Sequence, residues 1–136
     1  WIGRLPAKGS YSALSCYYLT FVDEVFALSQ YQRLKENFYQ KRPIAGFKEY
    51  YDRKCLLGFD IDAGPIVFNL SPTGTAFGLG AATYFEDYEV RNGFLRTAEL
   101  AGFTVSSGEQ RHYLLANVAL VGEAIALAMR TAVKWE

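Results

Sequence analysis

Several things are scarce in this chain, and each scarcity excludes something. Two cysteines, Cys16 and Cys55, and a single histidine, His112, occur in 136 residues. A structural zinc site draws about four ligands from Cys, His or carboxylate, so neither a metal cage nor another cofactor is expected. The two thiols, far apart in sequence, fit free buried side chains or one disulfide, and neither reading assigns a compartment. Charge of one sign is also lacking, since 14 basic residues balance 14 acidic ones. No run of like charges occurs, and the basic neighbours Lys41-Arg42 and Arg53-Lys54 are only pairs. With no basic field or stripe, nucleic acid is not an expected partner. No basic-then-apolar leader follows Trp1, and an opening on Trp rather than Met reads as a piece of a longer protein.

What the chain does have is apolar mass. Hydrophobic residues make up 51% of it, with ten Tyr and ten Phe, enough for one sizeable core and too much for a disordered segment. No charge occurs from Ala63 to Phe85, a length that could cross a bilayer. Pro65, Pro72, Asn69, Ser71 and four glycines interrupt it, so a buried, tightly packed helix pair is the better expectation. The last apolar stretch, Val118 to Val133, carries Glu123 and Arg130, and no transmembrane span is expected there either.

Periodicity predicts helices. Ser10 to Val22 is apolar and aromatic nearly all round, as a buried helix is. From Asp23 to Tyr39, Ala27, Leu28, Tyr31, Leu34 and Phe38 form a stripe, with acids at the start and Lys41-Arg42 just past the end. Pro43 to Asp62 has no sustained period but is rich in aromatics, which predicts an ordered loop lining a site. Pro65 is expected in the first turn of a short helix, and Ser71-Pro72 starts another to Phe85. In that one, Gly74, Gly78 and Ala82 share a face that admits a close neighbour. Asp87 caps a helix from Tyr88 to Ala101 that stops at Gly102, and Phe103 to Tyr113 reads as a polar connection. Asn117 can cap a last helix from Val118. The expected fold is all-α, one domain over residues 1–136, with five or six helices and no strand pair.

The order of segments has a likeness. A Tyr-rich helix after Gly9-Ser10 precedes Phe21-Val22-Asp23-x-x-Phe26-Ala27-x-x-Gln30-Tyr31, and Gly46-Phe47-Lys48-Glu49-Tyr50 follows. Next come Asp60-Ile61-Asp62-Ala63-Gly64-Pro65-Ile66 and a helix rich in Gly, Ala and Thr. Over residues 9–103 this resembles the (α/α) toroid proteins, which include six-hairpin glycosidases and the linalool dehydratase/isomerase-like group. The resemblance implies a partial toroid of helical hairpins, with this chain as its C-terminal half and the missing N-terminal half as its partner. The catalytic cysteine and histidine motifs of the dehydratase group have no match in this chain.

Carboxylates are the candidate chemistry. Residues two apart in an extended segment point the same way, so Asp60 and Asp62 are expected to face one cleft. Asp62, ahead of a helix start at Pro65, would stay ionised, or simply cap that helix. Asp60, between Phe59 and Ile61, would hold a proton in an apolar setting, or bind loop amides or an arginine. Such a pair is the division of labour used in glycoside hydrolysis. Glu49, Tyr50 and Tyr51 are the candidate substrate-binding residues, because aromatic faces beside a carboxylate suit a sugar ring or an isoprenoid; anchoring the loop is the alternative. Gly78-Leu79-Gly80 lacks the third glycine and the strand of a dinucleotide site. His112 reads as a surface or capping residue, and Glu123 as paired with Arg130 or solvated.

The expected function is an enzyme domain using carboxylate acid/base chemistry on a glycan or another hydroxylated small molecule. Two alternatives stand beside it: a non-catalytic binding or scaffold domain, and a membrane-associated lyase acting on a terpenoid alcohol. Half a toroid would expose apolar edges, so self-association into a homo-oligomer is expected as well.

Overall fold

The computed structural model describes residues 6–52, 54–102, 104–108, 110–113 and 120–133. Five α-helices are present: α1 (Gly9–Leu19), α2 (Glu24–Phe38), α3 (Pro72–Tyr84), α4 (Tyr88–Gly102) and α5 (Leu120–Arg130). Between them lie six short strands, β1 (Tyr39–Gln40), β2 (Gly46–Phe47), β3 (Leu57–Asp60), β4 (Gly64–Val67), β5 (Thr104–Ser107) and β6 (Gln110–Tyr113). They pair in sequence order as three antiparallel two-stranded sheets. The fold is therefore mixed α and β, not all-α. Nor do consecutive helical hairpins run through it as a toroid requires, because two of the sheets separate α2 from α3 and the third follows α4.

Local chemistry sets the helix starts. Asp23 Oδ1 accepts from the Phe26 amide at 2.9 Å, and the buried stripe Ala27, Tyr31, Leu34 and Phe38 follows. Ser71 Oγ accepts from the Gly74 amide at 2.9 Å with Pro72 in the first turn. Asp87 Oδ1 accepts from the Val90 amide at 3.3 Å and opens α4. These three starts stand where the sequence put them. Asn117, the expected cap of the last helix, lies outside the described residues.

The region from Pro43 to Val67 differs from expectation. The long loop contains β2 and β3, and Pro65 sits in β4 opposite Phe59 rather than in a helix. A two-stranded sheet has only edge strands, where proline's missing N–H is tolerated. The uncharged stretch after Ala63 is accordingly a strand, a turn and one helix of 13 residues. Among the described residues no helix is long and apolar enough to cross a membrane. Phe103 to Tyr113, expected as a connection, contains the β5–β6 pair.

α3 is the central element, packed against α1, α4, α5 and β2. Its glycines make this contact close. A Cβ on Gly78 would stand 2.3 Å from the Phe47 ring, and one on Gly74 would stand 3.1 Å from the Ser10 backbone nitrogen. Phe47 and Phe94 meet edge to face at 5.0 Å beneath Gly78, both fully buried.

Candidate functional site

Backbone pairing gathers the expected site residues. Lys8 bridges Tyr50, Lys48 bridges Leu70, and Leu70 bridges Val67, which is opposite Leu57 in β3. The Glu49 amide donates to the Asn69 carbonyl at 3.0 Å, and the Gly9 amide donates to the Glu49 carbonyl at 2.9 Å. This ladder turns at Phe68-Asn69, both with positive φ (52° and 68°), as the two central residues of a tight hairpin turn require. Asn69 pays back some of the strain by accepting from the Cys55 amide through its side chain.

Asp60 lies at the centre. Its carboxylate accepts from Lys8 Nζ at 2.8 and 3.0 Å, from the Tyr50 hydroxyl at 2.9 Å, and from the Asp62 and Ala63 amides at 3.1 and 3.4 Å. The Lys8 ammonium leads in holding the Asp60 carboxyl down at about 2, against partial burial, with Tyr50 and the two amides adding to it. Asp60 is thus an ionised anchor and not the proton-holding acid that its apolar neighbours suggested. Phe59, its neighbour in β3, faces the opposite way, and Ile61, in the turn that follows, is exposed.

Asp62 meets the same ammonium at 3.3 Å, so the two aspartates do converge, but on a lysine. Its side chain is 42% exposed, against 12% for Asp60. It lies in the turn between β3 and β4 and caps no helix. Tyr11 completes the group. The hydrogen bond to Asp62 leads in raising its hydroxyl pKa, and Lys8 stands 5.7 Å from its ring centroid.

Glu49 and Tyr51 fare differently. Glu49 is fully buried, with Ser10 Oγ donating at 2.9 Å and the Ser10 amide at 3.2 Å, so it closes the start of α1. Tyr51 is exposed and leans on Phe38 at 5.9 Å between ring centroids.

An open groove of about 440 Å³ runs between α1 and α2 beside this cluster. Tyr11, Ser12 and Ser15 line one wall, and Phe26, Gln30, Arg33 and Asn37 line the other. Cys16, free and buried, lies on the floor, where burial pushes its thiol up to about 11. Sequence reasoning missed this groove. Its one signal was the polar spacing Gln30, Arg33, Asn37 on the flank of an amphipathic helix, which an ordinary solvated face shares. Among the described residues no group of three or more His, Cys, Asp or Glu could hold a metal ion. The side chains of His112 and Glu123 lie outside the described residues. No protein-family model, curated protein or solved structure matches this chain.

Proposed function

We propose that this chain is a non-catalytic binding domain for a small, neutral, hydroxylated molecule of sugar size, held in the groove between α1 and α2. The observation that carries the reading is the state of Asp60: ionised, and engaged by Lys8, Tyr50 and two amides. A carboxylate so held is neither a proton donor near neutral pH nor a base with a lone pair to spare. Glu49, expected to bind substrate, is sealed under Ser10 and does not reach the groove. The groove supplies what recognition needs instead. Its volume, about 440 Å³, lies within the range of small-molecule sites. Half-exposed Tyr11 and Phe26 offer faces for stacking on an apolar ring face, and Arg33, with the second amide hydrogens of Gln30 and Asn37 (whose first go to Ser29 Oγ and the Arg33 carbonyl), offers donors for hydroxyl groups.

The test is a titration with neutral mono- and disaccharides, followed by two-dimensional NMR of the backbone and side-chain amides. Shifts concentrated on Ser12, Ser15, Gln30 and Asn37, and weakened at least tenfold in Phe26→Ala, are the expected result. The reading fails if no sugar moves these signals, or if a glycoside is turned over and Asp60→Asn abolishes that turnover.

The carboxylate-enzyme reading keeps one observation in its favour. Asp62 is open to solvent beside Tyr11, so this acid–phenol pair could meet a substrate. Turnover lost in both Asp62→Asn and Tyr11→Phe would select it.

A further inference from the structure

A second groove, of about 550 Å³, lies between α4 and the segment that joins β1 to β2. Among the described residues it shares none of its lining with the groove between α1 and α2. Its floor is fixed by close contact. A Cβ on Gly93 would stand 2.9 Å from the Ala45 Cβ, and Thr97 Oγ1 donates to the Ala45 carbonyl at 2.6 Å. The Tyr39 ring is held in the core by Phe94 at 6.0 Å and Phe47 at 6.3 Å between centroids. Its hydroxyl emerges over the floor, 3.5 Å from where a Cβ on Gly93 would lie. Burial leads in raising the Tyr39 pKa above the ordinary phenol value, with Glu89 adding to it, so this hydroxyl is a donor at neutral pH.

Three donors of this groove have no hydrogen-bond or ion-pair partner among the described residues: the Tyr39 hydroxyl, the Asn92 amide and the Arg96 guanidinium. Residues three or four apart share a helix face, so Asn92 and Arg96 stand on the same side of α4, next to the glycine over which Tyr39 ends. The other charges of the groove cancel, since Lys41 Nζ donates to Glu89 Oε1 at 2.7 Å. One positive charge is left, on Arg96, and helical rise sets it about 10 Å along α4 from Glu89. Apolar side chains flank it: Ile44 from the joining segment, and Leu100, 67% exposed, one turn further on.

We propose that this groove binds a small organic monocarboxylate, its carboxylate on Arg96 and the Tyr39 hydroxyl and its apolar body along Ile44 and Leu100. A guanidinium fork matches a planar carboxylate with two parallel hydrogen bonds, and the phenol supplies a third. The charge count favours a monoanion over a phosphate dianion. With Lys41 engaged by Glu89, a second negative charge would find no cation and would face that acid instead. The volume, within the range of small-molecule sites, leaves room for an organic body beside the charged group.

Titration of the full chain with sodium benzoate at constant ionic strength, followed by two-dimensional NMR, tests the proposal. Benzamide serves as the uncharged isostere and inorganic phosphate as the anion without an apolar body. Benzoate should give saturable shifts at the Asn92 side-chain amide, the Gly93 amide and the Arg96 side-chain N–H, with a dissociation constant on the order of 1 mM. Benzamide and phosphate should each bind at least tenfold more weakly. Arg96→Gln should weaken benzoate at least tenfold, Arg96→Lys should keep part of the affinity, and Tyr39→Phe should weaken it severalfold. Arg96 is exposed and Tyr39→Phe keeps the packed ring, so the circular dichroism spectra of these variants should match wild type. No saturable shift by about 20 mM benzoate, equal binding of benzamide, or an affinity indifferent to Arg96→Gln would overturn the proposal. Phosphate that binds as tightly as benzoate would overturn it too, since the groove would then read charge alone. So would benzoate shifts confined to Ser12, Ser15, Gln30 and Asn37, which belong to the other groove. The sugar titration reports on that other groove alone, so the two readings stand or fall separately.

Discussion

Where α1, β2 and α3 meet, an acid, a glycine and an aromatic ring are packed without slack: Glu49 under Ser10, and Gly78 over Phe47. The β3–β4 hairpin holds the same residue types, yet Asp62 is half-open, a Cβ on Gly64 would meet nothing within 4 Å, and Phe59 stands in solvent. Residue type therefore says little about role in this chain. Burial decides it. A carboxylate in the junction is a structural part whose removal exposes a defect, whereas one on the hairpin is held by a lysine that water can replace. Asp60 is intermediate, with the partners of a buried group and the position of a surface one.

That contrast is broken most easily at Glu49. Glu49→Ala leaves the Ser10 amide and hydroxyl without their acceptor and opens a cavity, for an expected loss of about 4 kcal/mol in urea unfolding. A loss under about 1 kcal/mol would mean that the junction is wet and that the two regions do not differ. Gly78→Ala comes next. Its new methyl meets the Phe47 ring at 2.3 Å, and overpacking outweighs the helix propensity gained, for a net loss of about 2 kcal/mol. Phe47→Leu in the same chain should return part of that loss, because the leucine side chain is smaller and more adaptable than the ring. Strict additivity of the two would show that Phe47 is not the obstacle.

Asp60→Asn should cost less, about 1.5 kcal/mol at neutral pH, because water reaches the cluster and softens the loss of the charged hydrogen bonds. Its pH dependence identifies the cause. The folded carboxyl sits at about 2, below its ordinary value of 3.8. The stabilisation from Asp60 is therefore complete above 3.8 and lost as pH falls through 2. The stability gap between wild type and Asp60→Asn should close over that window, and a gap that persists at pH 2 would show that something other than ionisation holds Asp60.

How much of this was legible in the sequence follows from period and length. α2 and the starts of α3 and α4 were readable, because a stripe of four or more apolar residues or a Ser-Pro or Asp cap is a signal contained within one element. The small residues of α3 were readable too: Gly74 and Gly78 signalled close approach before any neighbour was known. The strands were not. β1 and β2 have two residues each, too short for any alternation to appear. β3 does alternate, Leu57-Gly58-Phe59-Asp60, but its apolar side faces solvent, the reverse of the usual rule, and Pro65 in β4 pointed to a helix start. The candidate site was half legible. Asp60 and Asp62 do converge, but Lys8, the residue they converge on, is 52 positions from Asp60 and carries no mark of its own. Long-range electrostatic partners of this kind are set by the fold and not by spacing, and so the expected acid became an anchor.

The smallest effect sharpens the comparison furthest. Asp62 shares Lys8 with Asp60 across 3.3 Å, yet its side chain is 42% exposed and lies in a turn. An exposed pair of this kind contributes at most about 0.5 kcal/mol, and salt screens it. Asp62→Asn should therefore change the unfolding free energy by less than about 0.5 kcal/mol in low salt, with the difference vanishing near 0.5 M sodium chloride. Chemical denaturation of the two proteins at both ionic strengths measures this directly, below the concentration at which any self-association begins. A loss as large as that of Asp60→Asn, and insensitive to salt, would place Asp62 inside the anchored cluster. The boundary between the two regions would then lie at the tip of the hairpin and not at Asp60.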